Sequence, residues 1–167
     1  MIIMYNIDSL KIRLLEPADR EKVICFFSKL GEEGTGFFNR GHGNENRTLD
    51  FCDGKLGDHV FWAAVNETEE GEEIVGIVFL WDRFSCIPWL GIGITEEWKG
   101  KHLGRRLIIT AREYCESIGC GGILLTTAQN NLRGQGLYER CGFEKLGVHS
   151  SGEFQYLLRF PNQQAQN

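Results

Sequence analysis

The chain reads as an α+β or mixed α/β protein, a central sheet with helices between and around its strands. Three observations predict this. Apolar runs of strand length recur at Asp58–Asn66, Ile74–Asp82, Cys86–Ile94 and Gly122–Ala128, each bounded by turn residues. Between the last two, Leu103, Leu107, Ile108, Ala111, Cys115 and Ile118 repeat at three- and four-residue steps, which is helical spacing. Neither an internal repeat nor a linker interrupts the 167 residues. One domain over residues 1–167 is expected, with 161–167 as a polar, frayed tail.

The elements follow in order. Lys11–Leu15 alternates like a first strand, and Glu16-Pro17-Ala18-Asp19 then starts a helix. Asp19 is the expected N-cap before Val23, Ile24, Phe26, Phe27 and Leu30. Gly31–Gly57 is glycine-rich and polar, with room for a short helix near Asn46–Cys52. Val60–Val65 and Ile74–Asp82 read as buried strands, and the carboxylates of Glu67–Glu73 between them as a solvated hairpin tip. Pro88 predicts a distorted start to the strand ending at Ile94. A long helix from about Lys101 to Ser117 stops at Gly119; a central strand and a short helix at Asn131 follow. Phe143–Val148 and Glu153–Phe160 pair antiparallel through Ser150-Ser151-Gly152.

Composition narrows the function classes. Hydrophobic residues make 42% and charged residues 25%, as in soluble globular proteins. The formal net charge is −5, which argues against nucleic acid as a partner. No apolar run reaches membrane-spanning length, so no membrane partner is expected. Met1–Asp8 lacks a basic leader and is broken by Asp8, unlike a secretory signal. Six cysteines form no Cys-x-x-Cys pair and the four histidines are scattered, so no metal is expected. Cys25, Cys86, Cys115 and Cys141 sit among apolar neighbours and read as buried thiols in a reducing, cytoplasmic setting.

The segment carrying most chemistry is Ile92-Gly93-Ile94-Thr95-Glu96-Glu97-Trp98-Lys99-Gly100-Lys101-His102-Leu103-Gly104-Arg105-Arg106-Leu107. A strand ends in a loop that opens a helix, whose first turn leaves N–H groups without partners at the positive end of the dipole. Gly100 and Gly104 leave room there for a phosphate, and Lys99, Lys101, Arg105 and Arg106 add charge. An ordinary turn with a solvated basic face also fits the segment taken alone. No Gly-Lys-Ser or Gly-Lys-Thr occurs, so this is not a P-loop. Gly91-Ile92-Gly93 lies inside the apolar run rather than after it, which excludes a dinucleotide fingerprint.

A second segment decides between these readings. Asn131-Leu132-Arg133-Gly134-Gln135-Gly136-Leu137-Tyr138-Glu139-Arg140-Cys141-Gly142-Phe143 resembles the Asn-x-x-Ala-x-x-Leu-Tyr-x-x-x-Gly-Phe signature of the GNAT (GCN5-related) N-acetyltransferases. The loop resembles the same family's acetyl-CoA motif, Arg/Gln-x-x-Gly-x-Gly/Ala. Lys99 stands for Arg or Gln, His102 for the first glycine, and Gly104 matches the last. His102 suits phosphate binding if it takes ordinary helical dihedrals. Gly134 in place of alanine weakens its helix by about 0.5–1 kcal/mol, so a short or ragged helix is expected. The resemblance covers residues 58–160 well and the first third in outline.

This resemblance implies a mostly antiparallel twisted sheet of about six to seven strands flanked by about four helices. It also implies direct transfer of acetyl from acetyl-CoA to a primary amine of a small molecule or peptide, without a covalent enzyme intermediate. The carbonyl then needs donors, the leaving thiolate a proton or hydrogen bond, and the amine must be neutral. Backbone groups of Ile92, Gly93 and Ile94 are the expected cofactor contacts, the glycines letting the strand bulge from its neighbour. The loop residues Lys99, Gly100, Lys101, His102, Leu103, Gly104 and Arg105 are expected on the pyrophosphate. Asn131 contacts cofactor or caps its helix.

Tyr138 is the expected leaving-group donor, since a phenol of pKa near 10 can donate to a thiolate of pKa about 8.5. A core aromatic beside Leu137 is the plain alternative. No carboxylate occupies Ser85–Pro88, so Asp82, His149 or Glu153 are left as bases acting through water. Arg40 or Arg47 are candidates for recognising an acceptor carboxylate. A non-catalytic acyl-CoA-binding or sensing module is the rival reading, and a homodimer is compatible with either.

Overall fold

Seven strands pair in the order β1-β2-β3-β4-β5-β7-β6 in the computed structural model, which describes residues 5–161. The tail expected at 161–167 therefore lies almost wholly outside the described residues. β1 (Lys11–Leu14), β2 (Val60–Thr68), β3 (Gly71–Trp81) and β4 (Trp89–Ile94) form one antiparallel half. β5 (Gly122–Thr127), β6 (Glu144–Val148) and β7 (Phe154–Arg159) form the other. The halves meet in a parallel contact between β4 and β5 that holds one register pair, Trp89 with Leu124. Beyond it the two strands part.

β2 and β3 are buried on both faces, which is why they read as continuous apolar runs rather than alternations. Phe61, Ala63, Ile77 and Phe79 join one core with Val23, Phe26 and Phe27 of α1 (Arg20–Ser28). Trp62, Ala64, Val78 and Leu80 join the other with Leu103, Leu107, Ile108 and Ala111 of α4 (Leu103–Ser117). Leu103, Leu107, Ile108, Ala111 and Cys115 form the buried stripe their spacing predicts, but Ile118 is the C-cap and is exposed; Gly119 (φ +80°) follows it. Between α1 and β2 run α2 (Gly31–Gly34), a π turn at Thr35–Asn39 and α3 (Asn44–Cys52). α5 (Leu132–Arg140) runs nine residues without a break, so its two glycines do not make it ragged.

Several expectations change. Asp19 does not cap α1 with its side chain. Its carboxylate turns back to accept the Glu16 N–H (2.9 Å) and pairs with Arg13 (2.7 Å). The carboxylates near the β2–β3 turn are not simply solvated: Glu72 pairs with Arg13 (2.9 Å) and Lys22 (3.2 Å), and Glu73 with Lys29. Pro88, which has no N–H to donate, keeps β4 from starting before Trp89. Of the thiols expected inside, Cys115 is buried, but Cys25 and Cys86 are exposed and Cys141 is half-buried; Cys52 is the second buried one. Burial pushes Cys115 up to about 12 and Cys52 up to about 11, so neither is a ready nucleophile.

Candidate active site

The parting of β4 from β5 leaves one edge of β4 open. Its ladder to β3 alternates, and the bond from the Thr95 N–H to the Val75 carbonyl (3.0 Å) sets the phase. Gly91 and Gly93 therefore turn their backbone groups toward β3, while Leu90, Ile92 and Ile94 turn theirs toward the opening. Toward β3 there is no bulge, because that register runs unbroken from Trp89 to Ile94; the neighbour β4 departs from is β5. The glycines permit close approach instead. A Cβ at Gly91 would stand 2.4 Å from the Phe79 ring, and one at Gly93 2.4 Å from the Phe38 ring.

From Ile94 the chain passes through a turn at Glu96–Trp98 and enters α4 across Gly100 (φ +71°) and His102 (φ +66°). His102 is left-handed, not ordinarily helical, which explains why glycine suits this position in the resembled motif. His102→Gly is expected to raise stability by about 0.5–1 kcal/mol, seen as a higher urea midpoint. A lower midpoint would mean that the imidazole makes a stabilising contact.

Around the first turn of α4 lies a cavity of about 440 Å³. It gathers Ile92, Gly93, Ile94, Lys99, Gly100, His102, Leu103, Gly104, Arg105, Asn131 and Tyr138 from β4, the loop and first turn of α4, and α5 with its cap. Three of the basic and glycine assignments need correction. Lys101 does not line it: its ammonium donates to the Glu97 carbonyl and sits 4.5 Å from the Tyr5 ring centroid. Arg106 reaches the other way, to the carbonyls of Ile7 and Leu10. Gly104 makes room for packing as much as for a ligand, since a Cβ there would stand 2.7 Å from Leu137 Cδ2. Lys99 does face the cavity but is bound to Glu96 (2.9 Å).

Arg133 and Arg140 of α5 line the same cavity opposite Arg105, and sequence reasoning assigned them no role. Both stood in the quoted signature, so the signal was present in their spacing of seven, two helical turns along one face.

α5 starts on Asn131, whose Oδ1 accepts the Gly134 N–H (3.1 Å) while its Nδ2 donates to Thr127 Oγ1 (3.0 Å). The cap thus ties α5 to the end of β5. Tyr138 packs edge-on to Phe143 (5.9 Å) and tilted against Tyr156 (6.0 Å). Burial, and after it the Glu153 carboxylate, push its phenol well above the ordinary value of 10.

A second cavity of about 390 Å³ adjoins the first. The two share Phe37, Phe38, Ile92, Asn131 and Tyr138 in their walls. The second is closed by Trp81 and Trp89, stacked 5.9 Å apart at 6°, by Arg47, and by Glu153. Glu153 accepts from Thr126 Oγ1 (2.8 Å) and lies 3.5 Å from His42 Nε2. His149 lines this cavity too, edge-on to Trp89. Asp82 and Arg40 line neither cavity, so the structure separates them from the other candidates. The tryptophans read only as strand residues from sequence; nothing in their spacing marked them as cavity walls. Among the described residues no group of histidine, cysteine, aspartate or glutamate could hold a metal, and no helix is long and apolar enough to cross a membrane.

Residues 27–143 match the family model described as acetyltransferase (GNAT) family. The uncharacterized N-acetyltransferase YvbK of Bacillus subtilis is 28% identical over 74 residues, 44% of this chain and 48% of that protein. The match thus spans about half the length of that relative. Among solved structures, the PaiA N-acetyltransferase of Thermoplasma acidophilum in complex with coenzyme A superposes with a TM-score of 0.75 at 18% identity. That likeness covers 91% of this chain and 99% of the other. Spermidine N-acetyltransferase of Vibrio cholerae, in complex with CoA and spermine, gives a TM-score of 0.68 at 20% identity, covering 92% and 95%.

Proposed function

The chain belongs to the acetyltransferase (GNAT) family, and from that premise we propose that it moves the acetyl group of acetyl-CoA directly to a primary amine. One observation carries the reading: two cavities, one basic and one closed by a fixed carboxylate, share a wall at the Tyr138 phenol and the open edge of Ile92. The residues present suit the donor. Arg105, Arg133, Arg140 and the N–H groups opening α4 hold the pyrophosphate. The free Ile92 carbonyl and the free backbone groups of Ile94 pair with the amide-bearing arm as a further strand would. Leu137 and Cys141 give that cavity its apolar side.

At the junction each residue has one task. The Ile92 N–H donates to the carbonyl oxygen as charge develops there. Tyr138 donates to the departing sulfur. Glu153, held by Thr126, takes the proton that an ammonium must lose before it attacks, directly or through water. Of the three bases read from sequence, only His149 and Glu153 reach the second cavity, and Glu153 is the one acting on Tyr138. A non-catalytic acyl-CoA module would bind at the first cavity alone and has no use for the second. The free cysteines suit a reducing, cytoplasmic setting.

Thiol release from acetyl-CoA, measured with an amine panel, tests this. Release should depend on added amine and survive EDTA. Glu153→Gln should lower kcat about 10²-fold with acetyl-CoA affinity unchanged by calorimetry. Tight acetyl-CoA binding with no amine-dependent release would favour the sensing module.

A further inference from the structure

We propose that the second cavity seats an amino carboxylate, its amine at Glu153 and its carboxylate against Arg47. This rests on the acetyl-transfer reading above and adds the chemical class of the acceptor. Arg47 enters the cavity from α3. Its guanidinium lies over Trp81 (5.1 Å) and Phe79 (5.7 Å), and its hydrogen bond goes to the neutral Asn44 Oδ1 (2.9 Å). Asp58 acts on it only at longer range, and burial outweighs that attraction. Arg13, also part-buried, has Asp19 and Glu72; Arg106, like Arg47, is held by neutral oxygens, but it reaches the carbonyls of Ile7 and Leu10 and lines neither cavity. An arginine cannot shed its proton, so a desolvated guanidinium facing a cavity calls for an anion.

Glu153 supplies the opposite charge in the same cavity, with 18% of its side chain exposed. Walls of opposite sign fit a small zwitterion, and Trp81 and Trp89 offer an apolar surface for its stem. At about 390 Å³ the cavity is near the small end of ligand sites, suited to a compact molecule. A polyamine fits poorly, because its second ammonium would meet Arg47.

Thiol release from acetyl-CoA is measured with pairs that differ in the carboxylate: phenylalanine against phenethylamine, and 5-aminopentanoate against butylamine, with spermidine as the cation bearing several amines. In at least one pair the carboxylate member should exceed its counterpart in kcat/KM by roughly 10–100-fold. Arg47→Met should collapse that ratio to within about threefold, by raising KM for the carboxylate member, while calorimetric acetyl-CoA affinity holds. Circular dichroism checks that the variant is folded, and if it is not, the wild-type pairs decide alone. Decarboxylated amines or spermidine turned over as well as the carboxylates overturn the acceptor class and leave acetyl transfer standing. A folded Arg47→Met protein with the wild-type ratio overturns it too. No thiol release with any amine overturns both readings.

Discussion

Tyr138→Phe is expected to lower kcat by about 10²–10⁴ while acetyl-CoA affinity and melting temperature stay near wild type. The phenol lies where the two cavities meet, and the substitution removes one oxygen while keeping the ring contacts to Phe143 and Tyr156. Burial and Glu153 hold its proton more tightly than in free tyrosine, so it stays a donor up to about pH 10 and beyond. Complete transfer to a thiolate of pKa about 8.5 is uphill for such a group. In the proposed role the phenol would therefore act through a hydrogen bond that strengthens only as charge gathers on sulfur, and such a contact raises kcat without tightening the ground state. The sign is definite: a raised phenol pKa predicts no loss of rate from this residue as pH climbs from 7 to about 10. Steady-state kinetics with pH variation read both effects. Near-normal turnover with a lower melting temperature would make Tyr138 a packing residue.

What the sequence made legible follows from how local each signal is. The α4 stripe, the apolar runs of β2 and β3 and the final hairpin are periodic patterns, and periodicity survives without knowledge of the fold. That the loop from Lys99 to Arg105 opens a helix beside a cavity was legible because its residues are next to one another in the chain. Charge direction was not. Lys101 and Arg106 stand one and two residues from the cavity lining at His102 and Gly104 yet point to Glu97 and to Ile7 and Leu10, partners that only the tertiary fold supplies. Asp19 misled for the same reason. Its place before an apolar helix signals a cap, but Arg13, six residues earlier on β1, draws the carboxylate the other way. The second cavity was least legible, since it joins Arg47, Trp81, Trp89 and Glu153 from four stretches of chain.

Asp19→Ala should cost about 3 kcal/mol of stability, toward the lower end for breaking a buried pair, because Arg13 retains Glu72. In a chain of 167 residues that amounts to a fall in melting temperature of roughly 6–12 °C. Asp19 is 1% exposed and holds Arg13 through two bonds of 2.7 and 2.9 Å, with Lys22 at 3.3 Å. These partners outweigh the opposing effect of burial and lower its pKa from 3.8 to about 2. A depressed carboxylate pKa stabilises the fold above pH 3.8 and loses that contribution as pH falls through about 2. The shift corresponds to about 2 kcal/mol between those limits. Asp19→Asn keeps the shape and an acceptor for the Glu16 N–H but cannot titrate, so its urea midpoint should fall less steeply than wild type between pH 4 and 2. Some slope should remain, because Arg13 and Lys22 also depress Glu72. Parallel pH slopes in the two proteins would remove Asp19 from the acid transition. The site should feel the change as well. This cluster ties β1 and α1 to β3, and α1 carries Phe27, whose ring stacks at 5.7 Å on Phe38, a residue walling both cavities. Loosening α1 in Asp19→Ala should therefore raise KM for the amine in the surviving folded protein, with kcat little changed.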